Sequence, residues 1–180
     1  MEKIETIICH WEDKRITDIA IYSLHRFYPR LSVRIINDPL ITDHGSRLDK
    51  GFRESKSEFI LTLDNDMFVV GEKIIEKLYD EIIKDKKIYG VGLYMTTTNN
   101  RRFYGFIHPM FALYRRKIVV NENVSFKAIA KPNKIRGLNE FATGEKLGYG
   151  LGKKGYKGIH FNINPYLVHL SELKGWGPYG

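Results

Sequence analysis

The amino-acid sequence predicts an α/β fold: a mostly parallel central sheet flanked by helices. Three observations carry that expectation. Strand-like and helix-like segments alternate through the first half of the chain, the order that builds a parallel sheet with helices on both faces. The run Phe59-Ile60-Leu61-Thr62-Leu63 is short, apolar and bounded by polar residues, as a buried central strand should be. Two carboxylates, Asp64 and Asp66, then stand where the chain leaves that strand, and ligands of open α/β sheets collect outside the carboxyl ends of strands.

Residues 4–8 are the first expected strand. Ile16, Ile19, Ala20, Leu24 and Phe27 then recur at helical spacing, and Pro29 lies just past the stop. Residues 31–36 form the second strand, closed by Asn37-Asp38-Pro39. Leu48 and Phe52 share one face of a helix over residues 46–56, and residues 59–63 are the third strand. Ile74, Ile75, Leu78, Tyr79, Ile82 and Ile83 mark the clearest amphipathic helix, followed by a strand over residues 88–93. The second half is less regular. It reads as a polar loop from Thr96 to Arg102, a strand over 110–114, a short helix over 115–120 and a polar connection over 131–139. A glycine-dotted helix over 143–154 and strands over 159–161 and 166–170 complete it, with no internal repeat.

At 180 residues the chain is expected to be one domain that buries roughly two thirds of its unfolded surface. Hydrophobic residues make up 43% and charged residues 28%, an ordinary globular composition with no apolar stretch near the ~20 residues that span a bilayer. The chain opens directly on a strand pattern, so no cleaved leader is expected. Its single cysteine, Cys9, excludes an intrachain disulfide and fits a reducing compartment, so the expected location is cytoplasmic. The net charge of +8 calls for an anionic partner: nucleotide diphosphate, nucleic acid or anionic lipid. It leaves room for peripheral contact with an anionic membrane on its inner face. No nucleic-acid recognition signature accompanies the charge, which speaks against nucleic acid.

Paired carboxylates at a strand's carboxyl end call for something cationic between them. A divalent metal holding a diphosphate is the natural candidate, because hard cations take oxygen ligands and bridge phosphates. One decoy fails: Gly150-Leu151-Gly152-Lys153-Lys154-Gly155 satisfies a dinucleotide glycine pattern but follows no strand and lacks the acid that a βαβ unit supplies. At the end of the first strand, Cys9-His10-Trp11 places an aromatic ring that either stacks on a nucleobase or packs in the core.

These features, in this order, resemble the GT-A glycosyltransferases, especially the family-2-like nucleotide-sugar transferases. Asp38 stands where the family places an acid contacting the nucleoside. Gly45-Ser46-Arg47-Leu48-Asp49-Lys50-Gly51 is similar to its Arg-Asn-x-Gly segment, with Asp49 for the usual Asn. Ser57 to Asp66 resembles the strand leading into the family's DXD motif, and Phe111-Ala112-Leu113-Tyr114-Arg115-Arg116 the strand and basic pair after its acceptor loop. Gly155-Tyr156, followed by Tyr166-Leu167-Val168-His169, resembles the closing segment, where a histidine completes the metal site.

The resemblance implies a single GT-A-like domain over 1–180, with a nucleotide-binding half (1–95) and an acceptor half (96–180). It implies a nucleoside-diphosphate sugar donor and a carbohydrate, lipid or protein acceptor. Asp64, Asp66 and His169 are the implied ligands of Mn²⁺ or Mg²⁺, and an imidazole in the set suits Mn²⁺ better. His10, Trp11, Asp38, Arg47, Asp64 and Asn65 are the implied nucleotide contacts. Lys174 and Trp176 join them through a tail similar to the His…Lys-Pro-Trp segment of retaining enzymes, with Gly175 in place of the proline. The family's base is the acidic pair of a Glu-Asp helix start. Here Glu145 of Thr143-Gly144-Glu145 is the nearest substitute and Glu140 the reserve. Two alternatives remain: a nucleotidyltransferase of similar fold, and a non-catalytic basic protein that binds nucleic acid or a membrane surface. Donor sugar, acceptor and stereochemistry are not fixed by the sequence.

Overall fold

The structure, a computed structural model, describes residues 3–10, 13–96, 105–128 and 143–170. The first half runs β1 (Ile4–Cys9), α1 (Lys14–Phe27), β2 (Ser32–Ile36), α2 (His44–Glu54), β3 (Phe59–Leu63), β4 (Met67–Val69), α3 (Ile74–Ile83) and β5 (Ile88–Thr96). The second half runs β6 (Gly105–Arg115), α4 (Arg116–Asn121), α5 (Glu145–Lys153), β7 (Lys157–His160), a 3-10 turn at Asn164–Tyr166, and β8 (Leu167–His169).

Six strands form the central sheet in the order β2-β1-β3-β6-β5-β7, while β4 and β8 pair in a small separate sheet. Within the large sheet only β6 runs against the rest, antiparallel to both β3 and β5. The sheet is therefore mostly parallel, as the sequence predicts. The chain steps from β1 out to β2, then back past β1 to β3. Right-handed crossovers in opposite directions put α1 and α2 on opposite faces. Accordingly, Ala20 and Leu24 of α1 share one core with Ile74, Ile75, Leu78 and Ile82 of α3. Leu48 and Phe52 of α2 share the other with Leu147 and Leu151 of α5. Alternation along β3 feeds both cores: Phe59, Leu61 and Leu63 face the first and Ile60 the second. The reversal of winding between β1 and β3 opens a crevice at their carboxyl ends, the switch point where such sheets bind ligands.

The structure departs from the sequence pattern in informative places. Helix α2 begins at His44 because the Asp43 side chain accepts from Ser46 N at 2.8 Å and caps it. The polar pair His44-Gly45 shows no periodicity, so the pattern places the start two residues late. Strand β4 escapes the pattern because three residues are too few to show a period. The expected strand over 110–114 extends back to Gly105. Its register with β5 jumps between Gly92↔Ala112 and Tyr94↔Ile107, so β6 bulges over His108–Phe111. Pro109, which has no N–H to donate, sits in that bulge. The dinucleotide-like glycine pattern lies at the end of α5, where Gly155 takes φ +81 just past the C-cap, a helix-stop geometry. Among the described residues no helix is long and apolar enough to cross a membrane.

Candidate active site at the carboxyl edge of the sheet

The Asp64–Asp66 turn is held from three sides. Asp64 N donates to Met110 O at 2.7 Å, continuing the β3–β6 ladder one step, and Met67 N donates to Asp64 O at 3.1 Å to close the turn. The β4–β8 ladder, which pairs Met67 with His169, then brings the C-terminal part of the chain alongside. Leu170 N donates to Asp66 O at 2.9 Å. His169 Nε2 lies 3.2 Å from Asp66 Oδ2, and His44 Nε2 lies 3.4 Å from Asp64 Oδ1. Asp66 therefore has His169 beside it, and Asp64 has His44, which the sequence reading did not single out.

Burial raises the Asp64 carboxyl to about 8, with the Asp66 charge adding to it. The same environment holds other groups neutral. Burial, reinforced by the Arg47 charge, lowers the His44 imidazole. Burial, with His44 nearby, lowers His108 on the β6 bulge to about 4. The Cys9 thiol is pushed up to about 12 by burial and then by Asp64. The recess thus disfavours charge on its own carboxylate, a state that a bound cation would reverse. Among the described residues no three His, Cys, Asp or Glu side chains already surround one point as an ion cage. The donors stand as two adjacent pairs, and their carboxylate and imidazole chemistry fits a divalent ion.

The wall beside this turn is built by Arg47. It is buried, with Nε donating to Ile41 O at 2.8 Å, one Nη to His10 O and the other to Asp38 O at 3.5 Å. The side chain ties together the segments leaving β1 and β2 at the edge of the crevice. His10 is fixed further: its N–H donates to Ile36 O at 3.1 Å and Nδ1 lies 2.8 Å from Thr17 Oγ1. Asp38 lies two residues beyond β2, where it accepts from Lys50 Nζ at 2.7 Å and Leu40 N at 2.9 Å. The Lys50 bond holds its carboxyl below the usual range. Asp49 accepts from Ser125 Oγ at 2.5 Å and Phe126 N at 2.9 Å, pinning the segment after α4 across the start of α2. Gly45 is required there, since a Cβ would come within 2.5 Å of Phe126 O.

Asn65 lies within the turn itself. Glu145 opens α5 and is buried, behind Gly144 with φ +84. Gly144 N donates to Phe126 O at 2.9 Å, and a Cβ on Gly144 would meet the Pro109 ring at 3.2 Å. This sets the start of α5 against the β6 bulge. Trp11, Glu140, Lys174 and Trp176 lie outside the described residues. His44 and His108 are the residues that sequence reasoning missed. The only local signal was the helix cap Asp43 ahead of His44, and His108 carried none beyond its neighbour Pro109.

The fold is shared with known transferases. A mannosyltransferase from Pyrobaculum calidifontis, solved in complex with GDP-Man and Mn²⁺, matches with a TM-score of 0.59 at 10% identity, covering 88% of this chain and 54% of its own. A glycosyltransferase involved in glycosylation of the major capsid of PBCV-1 matches with a TM-score of 0.54 at 14% identity, covering 93% of this chain and 92% of its own. CMP:2-keto-3-deoxy-manno-octonic acid synthetase, complexed with CTP, matches with a TM-score of 0.51 at 11% identity, covering 88% and 89%. At such identities the likeness is one of fold. The GT-A-like α/β architecture expected from the sequence is the observed one. The chain spans about half the length of the mannosyltransferase. The sequence matches no protein-family model and no curated protein.

Proposed function

We propose that the chain is a metal-dependent glycosyltransferase, moving a sugar from a UDP- or GDP-sugar to a carbohydrate, lipid or protein acceptor. The observation that carries this reading is the Asp64–Asp66 turn at the switch-point crevice, with His169 delivered to it by the β4–β8 ladder. Asp64, Asp66 and His169 would hold Mn²⁺ or Mg²⁺. When bound, the ion neutralises charge developing on the leaving diphosphate.

The chain's own groups supply the rest. His10 and the carbonyls tied by Arg47 shape the nucleoside side, with Trp11 offering a ring to the base and Asn65 reaching the diphosphate from the turn. Asp38 would accept from the nucleoside, with Lys50 balancing its charge. Lys174 and Trp176 would close over the diphosphate. Glu145, at the start of α5, takes the acceptor proton if transfer inverts, with Glu140 in reserve. The site sits on a basic protein of net charge +8, which favours a doubly anionic donor and leaves peripheral contact with an anionic membrane open, in a cytoplasmic setting.

A nucleotidyltransferase is the second reading, favoured by the likeness to the CTP-bound synthetase. Against it, the stretch that ends and follows β1, Cys9-His10-Trp11-Glu12, lacks the glycine-rich loop that such chemistry uses to cradle a triphosphate. Isothermal titration of UDP and GDP, with and without Mn²⁺, tests the proposal. A Mn²⁺-dependent gain in affinity that Asp66→Asn abolishes supports it. CTP or ATP binding in preference to diphosphates would favour the second reading. Salt-sensitive nucleic-acid or vesicle binding with no metal-dependent nucleotide affinity would overturn both.

A further inference from the structure

A second concavity lies away from the carboxylate turn, between α5 and the β5–β7 end of the sheet. Its volume is about 540 Å³, inside the range of ~300–1,000 Å³ typical of small-molecule sites. Four tyrosines, Tyr89, Tyr94, Tyr149 and Tyr156, line it together with Lys153 and Lys157. We propose that this concavity is an oligosaccharide subsite, the place where a glycan acceptor lies while its terminal hydroxyl reaches the crevice. The proposal rests on the glycosyltransferase reading for the word acceptor, but not for the binding itself.

The lining chemistry selects a sugar over other occupants. Aromatic rings present flat faces with a negative quadrupole, which suit the C–H faces of pyranose rings, while a lysine ammonium at the rim donates to hydroxyls or an acidic substituent. The rings are held by their own hydroxyls. Tyr156 Oη donates to Glu122 Oε1 at 2.7 Å, and Tyr89 Oη accepts from Ile107 N at 3.3 Å. Tyr156 is thereby anchored at its hydroxyl end, and the buried Tyr89 forms a wall behind the more exposed rings. Tyr94 is 36% exposed at the mouth and its ring lies across Gly105, where any Cβ would overlap it. Lys153 Nζ stands 4.5 Å above the Tyr149 ring, so the cation and the aromatic face are offered together. An acyl chain would gain nothing from the lysines, and a polar peptide would make poor use of the rings.

Placement links the concavity to the chemistry. Helix α5 carries Glu145 at its start and Gly148, Tyr149, Gly152 and Lys153 along the following turns. At 1.5 Å rise per residue, Tyr149 lies about 6 Å along the axis from Glu145, close to the length of one sugar unit. The nucleoside side of the crevice is at β1 and β2, across the sheet from β5 and β7, so donor and glycan do not compete for one space.

Gly152 supplies a clean test. A Cβ there would meet nothing within 4 Å, and leucine is a better helix former than glycine by about 1 kcal/mol. Gly152→Leu therefore adds a side chain to the lining of the concavity from an unobstructed Cβ and without loss of helix stability. Saturation-transfer NMR on the full chain would use mannotriose, chitotriose and trigalacturonic acid as probes, in metal-free buffer without nucleotide. At least one trisaccharide is expected to receive saturation from tyrosine ring protons. Gly152→Leu should remove that signal, and Tyr94→Ala should weaken binding by roughly tenfold. Stronger binding of trigalacturonic acid that Lys153→Ala levels would assign the lysine to an acidic substituent. No saturation of any probe, or saturation unchanged in folded Gly152→Leu, overturns the proposal. Titration of UDP or GDP with Mn²⁺ on the same samples is read separately. Its failure in the unaltered chain would remove the transferase reading while leaving the oligosaccharide result standing.

Discussion

Replacing Asp64 by Asn should stabilise the protein in metal-free buffer above neutral pH, and should abolish any stabilisation by Mn²⁺. Burial and the Asp66 charge raise the Asp64 carboxyl to about 8, whereas in the unfolded chain it titrates near 3.9. Below about pH 4 both states are protonated and the group contributes nothing. Between about pH 4 and 8 the unfolded chain releases the proton that the folded chain keeps, so the carboxyl destabilises the fold increasingly as pH rises. Above about pH 8 the full cost is present. At pH 7 the span of roughly three pH units corresponds to about 4 kcal/mol at 1.36 kcal/mol per unit. The side chain is 21% exposed, so water and relaxation relieve part of this, and we take about half, ~2 kcal/mol. For a chain of this length that is about 4–8 °C in Tm. Differential scanning calorimetry in EDTA at pH 4.5 and pH 8 measures it directly. Asp64→Asn should melt with the unaltered protein at pH 4.5 and above it at pH 8. Mn²⁺ at a hundred times its Kd should then add ~2.7 kcal/mol to the unaltered protein alone. A variant that is less stable at pH 8 without metal, or equally stabilised by Mn²⁺, would refute the reasoning.

Arg47→Met should lower stability by about 3 kcal/mol in urea titration, because the main-chain oxygens of His10, Asp38 and Ile41 lose their donor in a buried setting. Cys9, held near 12 by burial, should resist iodoacetamide at pH 8 in the folded chain and react on unfolding, read by mass spectrometry; rapid native labelling would show the recess to be open. Glu145→Gln should lower transfer by ~10²–10⁴-fold if the reaction inverts, with up to about 2 kcal/mol lost from the buried helix start. Near-full turnover, or a product that keeps the donor's anomeric configuration, would reduce Glu145 to a helix-start carboxylate.

The fold was legible where each element declares itself within its own residues. Phe59–Leu63 and Ile74–Ile83 carry a full strand run and a full helical face, so their bounds coincide with the pattern. The reversed strand β6 was legible as a strand but not in length or bulge, because the register shift opposite Gly92 and Tyr94 depends on a partner strand. Asp64 and Asp66 were visible because they are neighbours in sequence. His44 was not, since its closeness to Asp64 arises only when α2 and β3 meet across the sheet. Arg47 illustrates the opposite limit. Its position in a motif drew attention, yet its bonds to three main-chain oxygens from two segments leave no trace in residue type or spacing.

The donor set around Asp66 has a mechanical consequence. His169 reaches the turn through only three β4–β8 pairs, reinforced by Val70 N to Tyr166 O at 2.8 Å and Leu170 N to Asp66 O at 2.9 Å. A two-stranded sheet of that length has little stability of its own. What anchors it is packing: Met67, Val69 and Leu167 are buried in the core shared with α1 and α3, and Val69 N donates to Ser23 Oγ of α1 at 3.0 Å. The polar ends, Asp66 and His169, project from that anchored sheet toward the crevice and remain partly exposed. A cation bridging them would cross-link the turn after β3 to the last described strand, so its binding energy would add to the β4–β8 ladder by linkage. An ion held there would therefore couple the three-pair β4–β8 ladder to occupancy of the crevice.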